Sequence, residues 1–184
     1  MSPLSTPAPF ADPTSAIYWP VRSQNAHGRQ VPHHGADGKL VHGGRHFLAR
    51  RDGGRAHVGV DLWGDYRDLV VAIENGVIAN WYHFYHGVNC LIVRCDSGVV
   101  INYGEVDPGS DREFKWRLGS KVKAGQPLAR VGRMTGGSSM LHFEIYPAGT
   151  TQNLRHYWDD GEASLKARFF DPTQYLLALA KSGK

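Results

Sequence analysis

Cysteine is scarce: the 184 residues contain two, Cys90 and Cys95. They stand five positions apart in the run CLIVRC, so on a strand their side chains project from opposite faces and cannot bridge within it. A disulfide framework is excluded, and the absence of a CxxC spacing argues against a cysteine zinc knuckle. Long apolar runs are also missing. None approaches the ~18 residues of a membrane span. Nor is there a block of one charge: 21 basic and 17 acidic residues leave a formal +4, a mild bias that does not point to nucleic acid. No Lys or Arg precedes Arg22, and Pro3, Pro7, Pro9, Pro13 and Pro20 interrupt the same stretch. It therefore lacks the charged start and apolar centre of a signal peptide. Internal repeats are absent as well.

What is present is an excess of turn formers and of histidine. The 22 glycines and 10 prolines together exceed average usage of about 12% and argue against a helical bundle. Residues 1–16, rich in Pro, Ser and Ala, read as a mobile arm, and 17–184 as one domain. From 17 to 56 the sequence is mostly irregular, with His27, His33, His34, His42 and His46 among glycines and arginines. From Leu69 onward short β-type runs follow one another: LVVAI, GVIANWYHF, NCLIVRC, GVVINYGEV, KVKAG, PLARVG and MLHFEIY. Gly or polar turns separate them, the pattern of an all-β sandwich or barrel. Near the end, DPTQYLLALAKSGK predicts a short helix with Asp171 as cap and Pro172 in its first turn. The expected fold is all-β, antiparallel sheets in a sandwich-barrel hybrid with a groove and a carboxy-terminal helix.

Two segments carry candidate metal chemistry. AHVGVDLWG places His57 and Asp61 four apart, which one extended strand would separate by ~13 Å, whereas ligands of one zinc ion sit ~2 Å from it. Val-Gly-Val is a poor helical sequence, so a bend at Gly59 would have to fold the two residues round a common point. Taken alone, the pattern fits equally a surface His and a turn Asp. In MLHFEIY, alternation puts Met140, His142, Glu144 and Tyr146 on one face and Leu141, Phe143 and Ile145 on the other. A His in such a run is commonly a hydrogen-bonded packing residue, but His57 and Asp61 are candidate partners. Together the three offer N, O and N donors with one position open, the arrangement of a catalytic rather than a structural zinc site.

HVGVD, LVVAIENGVI, NYGEV, GSKVKAGQPLARVG, MLHFEIY and DPTQYL, in this order, resemble the lysostaphin-type zinc endopeptidases that cut peptide cross-bridges of bacterial peptidoglycan. The likeness spans roughly residues 19–176 and is strongest over 57–146. It implies one Zn²⁺ held by His57, Asp61 and His142, with peptidoglycan peptides as substrate. The family also uses two non-ligand histidines, and the matching positions here are Met140 and Glu105. A thioether has no proton to give and is a poor partner for Zn²⁺. Glu105 is different, because a carboxylate near the attacking water can serve as general base.

Glu105 is therefore the candidate base, the alternative being a solvated strand-end Glu. Tyr103, His83 and His86 are candidate groove residues, Tyr103 either bonding substrate or simply packing. The amino-terminal histidines are either a solvated Gly-rich loop or, for His33, His34, His42 or His46, a fourth ligand in a latent form. Two functions follow: a zinc-dependent peptidoglycan hydrolase, or a degenerate member that binds zinc and peptidoglycan or a protein without cutting. With no signal peptide visible, a chain made in the bacterial cytoplasm would need another route to the periplasm or wall. Secretion machinery or phage lysis are candidates, as a bacteriolytic effector or endolysin, with an immunity protein as a further expected partner.

Overall fold

Runs of β-branched and aromatic residues separated by glycine turns pair into ladders because each strand has an apolar face to bury. In the computed structural model, which describes residues 18–166 and 168–183, thirteen strands and three α-helices are formed. The expected arm at 1–16 lies outside the described residues. The amino-terminal strands are short: β1 (Val21–Arg22), β2 (His33–His34), β3 (Leu40–Val41), β4 (Arg55–Ala56), β5 (Val60–Leu62) and β6 (Leu69–Val71). The long ones follow as β7 (Gly76–Tyr85), β8 (Val88–Cys95) and β9 (Val100–Val106). After helix α1 (Ser110–Phe114) come β10 (Lys121–Val122), β11 (Pro127–Arg130), β12 (Leu141–Tyr146) and β13 (His156–Tyr157). Helices α2 (Glu162–Lys166) and α3 (Thr173–Ser182) complete the described chain.

The strands make a six-stranded sheet in the order β10-β7-β8-β9-β12-β5, a three-stranded sheet β1-β6-β11, and the two-stranded ribbons β13-β4 and β2-β3. Every pairing is antiparallel. One apolar core draws on both larger sheets, with Val21, Val70 and Leu128 from one and Ile78, Leu91, Ile101 and Phe143 from the other. Helix α3 buries Tyr175, Leu176 and Leu179 in the same core. Its start differs by one position from expectation: Pro172 is the N-cap, while Asp171 Oδ1 accepts the Thr173 N–H at 2.9 Å. Cys90 and Cys95 are free, as their spacing predicts, and both are buried. Among the described residues, no helix is long and apolar enough to cross a membrane.

Two β-bulges decide which side chains reach the site. On β9, Tyr103 pairs with Leu91 and Val106 with Asn89, so three steps on one strand match two on the other. The extra residue lies at Gly104–Glu105, and Glu105 has φ +63°, a conformation uncommon for a residue with a Cβ. On β7, Tyr85 pairs with Val88 and His83 with Asn89, which places the extra residue at Phe84. Each bulge resets the alternation of facing on its strand.

Candidate metal centre

His57 follows β4 and Asp61 lies in β5, which pairs with β12 so that Asp61 is opposite His142. His142 in turn lies opposite Gly104 of β9. Gly59 makes the approach of the three segments possible, although its φ is not positive. A Cβ there would sit 2.6 Å from the Phe143 carbonyl oxygen and 2.9 Å from His142 Cε1. Its role is therefore close contact with β12 rather than an unusual dihedral.

The three side chains converge. His57 Nε2 is 2.9 Å from Asp61 Oδ1 and 3.0 Å from His142 Nδ1, and His142 Nδ1 is 2.7 Å from Asp61 Oδ1. All three residues are buried. The far side of each ring determines what these atoms can be. His57 Nδ1 is 2.8 Å from the His46 carbonyl oxygen, which can only accept, so Nδ1 carries the proton and Nε2 of the neutral ring is a lone pair. His142 Nε2 faces Glu144 Oε1 at 2.8 Å, which leaves Nδ1 as the lone pair of its neutral ring. With the Asp61 carboxylate, three electron pairs then point at one another within 3.0 Å. That arrangement needs a cation or an added proton between them. The donor set, two imidazoles and one carboxylate, suits zinc with a position left open, and the three residues form a group able to hold a metal ion.

The surroundings carry the alternative, a proton. Burial alone would lower the His142 imidazole, but Glu144 and the Asp61 hydrogen bond hold it well above its ordinary value. Burial works to raise Asp61, yet His57 and the hydrogen bonds from both histidines keep it far below the usual carboxylate range. Arg51 Nη2 adds a contact to Asp61 Oδ2 at 3.0 Å. Glu144 is fully buried and accepts from the amides of Asn102 and Asn153 as well as from His142. His142 and those bonds outweigh burial and keep its carboxyl low. Such partners of a ligand fix ring orientation and raise ligand basicity.

The centre lies in a cleft of about 530 Å³, within the usual size of ligand sites. Glu105 lines it and is buried. The Tyr85 hydroxyl donates to Glu105 Oε1, while Oε2 is buried without a hydrogen-bond partner among the described residues. Burial, then the charge of Asp61, pushes the Glu105 carboxyl up to about 7.

Several expectations need correction. Tyr103 is fully buried in the core, where its hydroxyl accepts the Ile73 N–H at 3.0 Å and its ring packs edge-on against Phe143. The β9 bulge separates its facing from that of Glu105. His83 is exposed and outside the cleft, because Tyr82, Phe84 and Tyr85 take the inward positions of β7. His86 does line the cleft, from a two-residue turn in which it and Gly87 both have positive φ. Met140 precedes β12, where no ladder enforces alternation, and it is half-buried outside the cleft lining. The amino-terminal histidines supply no side-chain ligand among the described residues. His34 and His46 instead meet each other at 3.2 Å, and His46 serves the centre through its carbonyl.

Residues 55–154 match the model of peptidase family M23. The chain belongs to peptidase family M23. As a member of that family it is 29% identical over 122 residues to the murein hydrolase activator NlpD of Salmonella typhimurium, covering 66% of this chain. It spans 29% of that relative's length. The catalytic domain of lysostaphin from Staphylococcus simulans superposes with a TM-score of 0.53 at 21% identity, over 72% of this chain and 89% of that one. A zinc-containing peptidase from Vibrio cholerae gives 0.50 at 23% identity, over 71% of this chain and 36% of that one. These two likenesses show the M23 fold.

Several residues of the M23 centre escaped sequence reasoning. Glu144 had a usable signal, since it stands two positions from His142 on the same strand face. Arg51, Tyr85, Asn153 and the His46 carbonyl had none, because they arrive from three parts of the chain that no local pattern links.

Proposed function

We propose that this chain is a zinc-dependent hydrolase of bacterial cell-wall peptidoglycan, cutting peptide or amide bonds. The observation that carries the proposal is the unpartnered Glu105 Oε2 in the same cleft as three converging electron pairs. Zinc, held by His57, Asp61 and His142, supplies Lewis acidity toward the scissile carbonyl and toward water. Glu105 Oε2 accepts the proton of the attacking water, and the same carboxyl returns it to the leaving amine. A carboxyl raised to about 7 suits both halves of that exchange. Tyr85 holds Oε1 and so fixes which oxygen is free. His86 and Phe84 border the substrate's path, and Glu144 keeps the His142 ring turned to the centre. The site of action is the periplasm or wall.

A second reading is favoured by a specific observation: the relative at 29% identity is named a hydrolase activator, and both family histidines are replaced here. In that reading the chain binds zinc and wall peptides or a partner without cutting. One experiment separates the two. Zinc-loaded wild type releases soluble fragments from purified sacculi, and Glu105→Gln abolishes release while keeping one zinc per chain. Absence of release by zinc-loaded wild type overturns the hydrolase reading.

A further inference from the structure

The wall of the cleft formed by the β4–β13 ribbon is cationic in a way the centre itself does not use. Arg51, Arg55 and Arg155 all line the cleft. Arg51 is committed, to Asp61 Oδ2 at 3.0 Å and to the Gly44 carbonyl at 3.1 Å. Among the described residues the Arg55 side chain makes one hydrogen bond, from Nε to the neutral Asp52 carbonyl at 3.2 Å. Among the described residues, neither Arg55 nor Arg155 forms an ion pair, and both are exposed. The ladder explains their placement. Arg55 pairs with Tyr157 and Ala56 with His156, so continuing that register by one step sets Arg155 across from His57. The two arginines thus stand diagonally on the ribbon, a spacing of roughly 7–8 Å between backbones that long side chains can close.

Two guanidinium groups brought together from these positions would repel unless an anion lay between them. The carboxylates of the cleft cannot serve, since Asp61 is taken by the histidines and Arg51, Glu105 by Tyr85, and Glu144 by His142 and two asparagines. All three are also buried. Guanidinium pairs recognise carboxylates through paired N–H···O bonds, which fix orientation as well as adding affinity.

We infer that Arg55 and Arg155 form a carboxylate subsite beside the metal centre, selecting wall peptides with a free carboxylate near the scissile bond over neutral, glycine-type bridges. The inference rests on the proposed peptidoglycan substrate and specifies its charge.

The test reads binding, so that it is separable from catalysis. A short fluorescent peptide ending in D-alanine is made as the free acid and as the carboxamide, and its affinity for the full zinc-loaded chain is measured by anisotropy. The free acid binds about tenfold more tightly at low salt, the preference shrinks as salt is added, and Arg55→Ala/Arg155→Ala reduces it to less than about twofold. Equal affinities in the wild type overturn the inference. So does a preference undiminished in the double variant, which would place the carboxylate on the metal. Preferential binding without cleavage leaves this subsite standing and removes the hydrolase reading. Cleavage without a charge preference does the reverse.

Discussion

Replacing Glu144 by Gln isolates what the buried carboxylate behind His142 contributes to metal binding. In the wild type three donors converge on it, from His142 Nε2, Asn102 and Asn153. Gln keeps the volume but turns one acceptor oxygen into a donor. Asn102 Oδ1 is buried without a partner, so rotating that amide offers an acceptor to the new NH₂ and limits the cost in stability to about 1–3 kcal/mol. The metal site is affected through two opposed effects. Loss of a charged acceptor behind a ligating imidazole weakens metal affinity by about 10–100-fold, or about 1.4–2.7 kcal/mol. Glu144 also helps hold the His142 proton that a metal must displace. Wild-type affinity therefore falls as pH falls through neutrality, with a proton released for each ion bound. In Glu144→Gln the proton is held less tightly, so the same fall is shallower. Competition against a chromogenic chelator, run from slightly acid to slightly alkaline pH, reads both effects. The variant should bind zinc much more weakly on the alkaline side and approach wild type on the acid side. Equal affinities throughout, or a constant ratio at every pH, would refute the argument.

Three further perturbations address other parts of the account. Tyr85→Phe removes the hydroxyl whose bond works to lower the Glu105 carboxyl; because the base form exists above the pKa, activity rises with pH, and the acid limb of the pH–rate profile should move to higher pH. A bound cation lowers Glu105 in both proteins, so the direction of the difference survives, and an unmoved limb contradicts it. Tyr103→Phe leaves the Ile73 N–H without its acceptor and should cost about 1–3 kcal/mol in urea unfolding with kcat/KM unchanged; a loss of activity at full stability would return Tyr103 to the groove. Gly59→Ala brings a methyl to 2.6 Å from the Phe143 carbonyl oxygen and 2.8 Å from Glu144 Cγ, so β12 must retreat. Thermal melts should show about 1–3 kcal/mol of destabilisation and a smaller stabilising response to zinc than wild type, and unchanged melts would count against the close-contact role.

The strands and the three converging residues were legible in the sequence for local reasons. Alternation in MLHFEIY places His142 and Glu144 together, and the poor fit of His57 and Asp61 to any regular element points to the bend at Gly59. What eluded the pattern was non-local. The bulge at Gly104–Glu105 turns Glu105 into the cleft and leaves Tyr103 in the core, because an extra residue breaks the period of two on which facing arguments depend. The bulge at Phe84 excludes His83 in the same way. The partners of the centre come from three separate segments, the stretch holding the His46 carbonyl and Arg51, strand β7 with Tyr85, and the loop with Asn153, whose meeting only the fold determines.

The proposed hydrolase function rests on a metal held by His57, Asp61 and His142, and elemental analysis of purified chain tests this most directly. After expression in zinc-replete medium and exhaustive dialysis, inductively coupled plasma mass spectrometry should find one zinc per wild-type chain and none in folded His142→Ala. A folded wild type without zinc, or a His142→Ala that retains a full equivalent, would contradict the account.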